Sequence, residues 1–134
     1  MNGPLILLVE DEVRLLMQAR TILEEGDFQV LCALNTGEAI EILHSEGCYM
    51  NALVTDVNLG DGPSGWVVAT LARQLKPSLP VIYATAESTE SWQRQGVGES
   101  ILLRKPYTSA QLLYALNGAI RAPVVVDPAR LASG

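Results

Sequence analysis

The 134-residue sequence predicts an α/β fold, a doubly wound five-stranded parallel sheet in the order 2-1-3-4-5. Two observations carry that prediction. Short apolar runs of strand length alternate five times with longer stretches in which apolar residues recur at helical spacing. The strand runs are apolar nearly throughout, as expected of parallel strands covered on both faces. Right-handed crossovers then put helices on both sides of the sheet, with the switch point between the first and third strands. No repeat of 20–50 residues suggests a solenoid.

Leu5-Ile6-Leu7-Leu8-Val9 is the first strand, and Val13, Leu16, Met17, Ile22 and Leu23 mark a helix over Glu12–Glu25 that Gly26 should stop. Phe28, Val30, Leu31 and Ala33 read as the second strand. Asn35 or Thr36 caps a helix carrying Ala39, Ile40 and Leu43, which ends near Gly47. Ala52, Leu53 and Val54 form a third strand that runs into Asp56 and a loop crowded with Gly60, Asp61, Gly62, Pro63, Ser64 and Gly65. Trp66–Leu75 is a helix closed by Pro77, Val81–Ala84 a fourth strand and Ile101–Leu103 a fifth. Between them Ser88–Gln95 is polar and allows only a short helix, with Trp92 as its one large apolar residue. Thr108 or Ser109 caps a last helix with Leu112, Leu113, Leu116 and Ile120 on one face. Residues 1–122 are read as one domain. Residues 123–134, with Pro123 and Pro128 flanking three valines, are read as an extended or flexible tail.

The bulk properties narrow the function. An apolar content of 49% with 18% charged residues is a globular composition. A net charge of −6 excludes nucleic-acid binding through a basic surface. No apolar run approaches the roughly 20 residues that span a bilayer. Leu5–Val9 is too short for a signal peptide and meets Glu10, Asp11 and Glu12 at once. Cys32 and Cys48 have no metal-ligand spacing and read as reduced thiols, so a cytoplasmic protein is expected. His44, on a polar stretch of the second helix, reads as a surface residue.

In open α/β sheets, ligands collect beyond the carboxyl ends of the strands. The predicted topology brings Glu10 and Asp11, Asp56, Thr85 and Lys105 to that one edge. Singly, each has a bland reading: a strand-end Asp is often a turn residue, and a lysine beside acids is often a salt bridge. Together at successive strand ends they define a site. Two like charges 4 Å apart repel by about 4 kcal/mol at an effective dielectric of about 20. Converging carboxylates therefore need raised pKa values or a bound cation, and hard oxygen donors in an open loop suit Mg²⁺. A cation, an ammonium and a hydroxyl around Asp56 make a pocket for a tetrahedral dianion, so that Asp56 can act as nucleophile towards a phosphoryl group.

Leu7-Leu8-Val9-Glu10-Asp11-Glu12, Val54-Thr55-Asp56-Val57-Asn58-Leu59, Tyr83-Ala84-Thr85-Ala86 and Arg104-Lys105-Pro106-Tyr107 resemble the four signatures of bacterial response-regulator receiver domains. The likeness extends over about residues 4–121. With its departures from the family pattern, the chain resembles small stand-alone, chemotaxis-regulator-like receivers and kinase-associated receivers more than those that drive transcription. The resemblance implies that Asp56 accepts a phosphoryl group from a phosphohistidine on a sensor histidine kinase or a histidine phosphotransfer protein. It implies Mg²⁺ held by Glu10, Asp11, Asp56 and the backbone carbonyl of Asn58, with Thr85 and Lys105 on the phosphoryl group and a cis Lys105–Pro106 peptide. The output would be a change of protein binding at the face around the fifth strand, with no direct contact to nucleic acid or membrane. A homodimer through the last two helices or the valine tail is a further option.

Three positions depart from the family pattern. Leu102 stands where the rotating aromatic of the switch is usual, which leaves Tyr83 and Tyr107 as substitutes or as plain packing residues. Gly60 replaces a usual Pro, Pro63 comes later and Gly65 sits one place further along, so the loop is expected to be longer and looser. The Ser88–Ser100 segment is poor in apolar residues, and Trp92 is either a partner anchor or folded back on the sheet. These departures keep two alternatives in play. One is a receiver-fold interaction module that phosphate does not control. The other is a phosphohydrolase working through an aspartyl phosphate, against which Asn58 stands where such enzymes commonly use a second carboxylate.

Overall fold

The computed structural model describes residues 3–60, 64–86 and 89–121. In chain order the elements are β1 (Leu5–Val9), α1 (Val13–Glu25), β2 (Gln29–Ala33), α2 (Thr36–Glu46), a single 3-10 turn (Gly47–Tyr49) and β3 (Ala52–Asp56). They continue with α3 (Gly65–Leu75), β4 (Val81–Thr85), α4 (Thr89–Gln95), β5 (Ile101–Arg104) and α5 (Ser109–Arg121). The five strands form one parallel sheet in the order β2-β1-β3-β4-β5, as expected from the sequence. Residues 1–2, 61–63, 87–88 and 122–134 lie outside the described residues, so the readings of the glycine-rich loop's centre and of the tail fall there.

The sheet is covered on both faces because its central strands carry apolar side chains in both directions. On one side Leu7, Val9, Leu53, Val81 and Tyr83 pack with Ala39, Leu43, Val68, Ala69 and Ala72 of α2 and α3. On the other Ile6, Leu8, Val54 and Ile82 pack with Leu16, Ala19 and Leu23 of α1 and Leu112 and Leu116 of α5. Small residues at Ala39, Ala69 and Ala72 let their helices lie close to the strands. Each fully buried leucine contributes about 1.5–3 kcal/mol by leaving water, so this core is what fixes the strand ends in place.

Helix boundaries follow local chemistry. Asn35 caps α2, its side chain accepting the Glu38 N–H at 2.8 Å while Glu38 accepts the Leu34 N–H at 2.8 Å. Thr108 caps α5 in a reciprocal pair with Gln111: Thr108 Oγ1 accepts the Gln111 N–H and Gln111 Oε1 accepts the Thr108 N–H. Gly26 does end α1, but for a reason other than a left-handed turn. Its φ is −85°, and the positive φ falls on Asp27. A Cβ on Gly26 would lie 2.6 Å from the Leu113 side chain, so this glycine serves the packing of α1 against α5. The buried stripe of α1 also differs from expectation. Leu16, Ala19 and Leu23 face the sheet, whereas Val13 and Met17 are 55% and 63% exposed.

Candidate functional site

The parallel register sets the carboxyl ends of the central strands side by side: Val9 pairs with Thr55, Asp56 with Ala84, and Thr85 with Arg104. The residues that follow each strand therefore meet. Glu10 is buried at 6% exposure, and its Oε2 accepts the N–H of Glu12, which fixes the first turn beyond β1. Carboxylate oxygens of Glu10, Asp11 and Asp56 all lie within 4.8 Å of one another. Lys105 reaches across from the end of β5, with Nζ 2.7 Å from Glu10 Oε1 and 3.0 Å from Asp56 Oδ2. Its backbone N–H donates to Thr85 O at 2.9 Å, which locks the two strand ends together. Thr85 is 3% exposed and Asn58 is exposed in the loop two residues beyond Asp56. The Lys105–Pro106 peptide is cis.

One ammonium faces three carboxylates, so the cluster keeps an excess of negative charge. The Asp11 carboxyl is raised above its usual pKa, first by desolvation and then by its hydrogen bond with Glu10 and the charge of Glu10, with Lys105 partly opposing. For Lys105, burial disfavours the ammonium, but hydrogen bonds and charges from Glu10 and Asp56 outweigh it and lift the pKa. Three carboxylate oxygens converging within reach of one centre are a hard donor set, and the residues present fit a small divalent cation such as Mg²⁺.

The loop after Asp56 is pinned at both described ends. Val57 and Leu59 are buried at 1% and 3%, Gly60 takes φ of +85°, and the Gly65 N–H returns to donate to Val57 O at 2.9 Å. A Cβ on Gly65 would stand 2.1 Å from Asp56 O and 2.8 Å from Val57 Cα. Only a glycine lets the start of α3 come this close to the backbone of Asp56. That role was hidden among the neighbouring glycines, since glycine content marks a loop without saying which glycine is crowded.

Trp92 folds back: it packs on the core with Val97 and Leu102, and its indole N–H donates to Ser100 Oγ at 3.0 Å. Leu102 is partly buried in the same cluster. Tyr83 is fully buried and contacts Trp66, with centroids 4.7 Å apart and planes at 60°. Tyr107 is half-buried on the opposite core, and burial raises its pKa. His44 is exposed, and Asp61 lies outside the described residues. Arg73, unremarked in the sequence, runs inward from α3 to donate to Leu79 O and, at 2.6 Å, to Gly98 O. No helix among the described residues is long and apolar enough to cross a membrane.

Residues 6–117 match the model of the response regulator receiver domain family. The chain belongs to that family and is a receiver domain of two-component signalling. It is 36% identical to a response regulator receiver protein from Sinorhizobium medicae WSM419, with a TM-score of 0.85 over 90% of this chain and 97% of that one. A receiver domain protein from Clostridium thermocellum shares the fold at 24% identity and a TM-score of 0.78, over 88% of this chain and 94% of that one. A CheY-like receiver domain protein from Methanospirillum hungatei JF-1 does so at 22% and 0.79, over 90% and 95%. No curated protein sequence matches.

Proposed function

We propose that this receiver is a phosphorylation-operated switch in which Asp56 is the acceptor. The observation that carries the reading is the double contact of Lys105, which ties Asp56 to Glu10 inside a cluster of three carboxylates. An Asp56 oxygen attacks the phosphorus of a phosphohistidine. The new O–P bond forms as the N–P bond breaks, and the imidazole leaves with the electron pair. Lys105 is already at hydrogen-bond distance from the acceptor carboxylate, so its ammonium can follow the charge onto the phosphoryl oxygens with little movement. The Thr85 hydroxyl, held at the end of β4, is the second donor. Glu10, Asp11, Asp56 and the Asn58 carbonyl are the groups that would hold Mg²⁺, which when bound neutralises charge on the transferring oxygens.

The donor in this reading is a sensor histidine kinase or a histidine phosphotransfer protein, for which the exposed Val13 and Met17 of α1, the helix that follows Asp11, offer apolar contact. The output is altered binding of a protein at the α4–β5 face in the cytoplasm. The protein acts as a phosphoacceptor, with self-phosphorylation and slow hydrolysis as its only turnover. Incubation with Mg²⁺ and acetyl phosphate, followed by intact-mass measurement, tests the reading. The expected result is a gain of one phosphoryl group that disappears in Asp56→Asn. No gain with any small donor would overturn it and leave a module that phosphate does not control.

A further inference from the structure

Leu102, where an aromatic was expected, lies in register beside Tyr83 of the neighbouring strand. The ring missing from β5 thus has a counterpart one strand over, on β4. Tyr83 and Thr85 are two residues apart on β4 and so face the same side of the sheet. The Tyr83 ring touches Trp66, the second residue of α3, and the preceding Gly65 is bonded to Val57 immediately after Asp56. At its other end, the Tyr83 hydroxyl accepts the N–H of Val97 at 3.0 Å.

Val97 lies in the segment between α4 and β5, and that segment is held at several further points. Ser100 Oγ donates to Val97 O at 2.6 Å and takes the Trp92 indole N–H, while Arg73 holds Gly98 O. One buried phenol therefore lies between Trp66, next to the glycine bonded to Val57, and the stretch that leads into β5.

We propose that Tyr83 carries the state of Asp56 to the Val97–Ser100 segment, in place of an aromatic on β5. The proposal rests on Asp56 being the phosphoacceptor. An interior packed at crystal density does not absorb a shift of the α3 start or the β4 end gradually. A displaced Tyr83 ring must draw its hydroxyl away from Val97, and a buried hydroxyl and amide do not stay unpaired cheaply. The segment then has two arrangements, one with the phenol–amide bond and one without, and phosphorylation selects between them. Because Arg73 anchors Gly98, the change concentrates at Val97 and at the Trp92–Ser100 contact.

The test compares nitrogen-15 amide spectra before and after phosphorylation with Mg²⁺ and acetyl phosphate, with uptake read by intact mass in the same samples. In the wild type the Val97 amide and the Trp92 indole N–H are expected to shift as uptake proceeds. Tyr83→Phe keeps the ring and removes the acceptor oxygen. It is expected to take up phosphate to the same extent while both phosphorylation-dependent shifts are largely lost. A merely structural Tyr83 would lower the melting temperature of this variant and leave those shifts intact, which overturns the proposal. Uptake in the wild type with no response at Val97 overturns the coupling and leaves the Asp56 reading standing. No uptake removes both. Trp66→Leu cuts the same route at α3 and is read in the same way if Tyr83→Phe does not fold.

Discussion

Replacing Lys105 with Met removes one charge and keeps most of the side-chain volume, so it isolates the electrostatic part of the site. The ammonium sits 2.7 Å from Glu10 and 3.0 Å from Asp56. At an effective dielectric of about 20 those separations correspond to gross attractions of roughly 6 and 5.5 kcal/mol. Desolvation offsets much of this, because the Lys105, Glu10 and Asp56 side chains are only 20%, 8% and 13% exposed. Breaking a buried pair from one side ordinarily costs about 3–5 kcal/mol. Lys105 keeps some water and the stranded carboxylates can take up protons, so the expected loss at neutral pH is about 2–3 kcal/mol. Urea unfolding followed by the fluorescence of Trp66 and Trp92 measures it, with the midpoint falling and the slope unchanged. The deficit should shrink towards about pH 4, where carboxylates ordinarily become protonated and the lysine has less to neutralise. Saturating Mg²⁺, at about 100 times its Kd, should return roughly 2.7 kcal/mol to the variant by mass action. A deficit below about 1 kcal/mol that ignores pH would mark the contacts as a solvated surface pair and refute the reasoning.

Three further outcomes test other parts of the structure. Gly65→Ala drives a Cβ into Asp56 O and Val57 Cα, so a loss of about 2–3 kcal/mol is expected in thermal melts; a loss of a few tenths would mean that the start of α3 slides freely. Cys32, Tyr83 and Tyr107 are raised by burial, and Lys105 is raised by its carboxylate partners against an opposing desolvation. A folded pKa above the unfolded one contributes stability that is intact below the unfolded value and lost as pH climbs through the folded one. Urea midpoints should therefore fall as pH rises beyond about 9, and a midpoint that holds or rises there would contradict the burial of these groups. Millimolar Mg²⁺ should raise the melting temperature, more at pH 8 than at pH 5 because the Asp11 carboxyl must be ionised to bind. An unchanged melting temperature at both would count against Glu10 and Asp11 as ligands.

The sheet order and the meeting of Glu10, Asp11, Asp56, Thr85 and Lys105 were legible because both depend on coarse signals. Apolar runs of period suited to buried strands fix the alternation, and alternation fixes which strand ends share an edge. The caps at Asn35 and Thr108 were legible for a similar reason, since capping is a short-range hydrogen bond between neighbours in sequence. What escaped depended on distances between elements. Whether Val13 or Ala19 of α1 faces the sheet turns on a rotation of the helix that hydrophobic spacing leaves loose, and the small Ala19 proved the buried one. Gly26 reads as a stop from sequence, yet the side chain it lies against belongs to Leu113, far along the chain. Arg73 reads as a polar helix residue, and only the folded α4–β5 segment supplies the carbonyl of Gly98 that gives it a buried partner.

A ring at Tyr83 with a leucine beside it at Leu102 has a physical consequence for the proposed signal. The two residues pair across β4 and β5 and pack in the same cluster. The strands are not equivalent. β5 is the sheet edge and Leu102 is only partly buried, whereas β4 lies between β3 and β5 and leaves Tyr83 with no exposure. A ring on the edge strand can swing between an inward and an outward position. The Tyr83 ring on β4, against Trp66 and in register with Leu102, is fully buried. Its remaining freedom is a small displacement that keeps or breaks the bond to Val97. On the proposed switch, the state of Asp56 is read as the hydrogen bond between Tyr83 and Val97 gained or lost in the core.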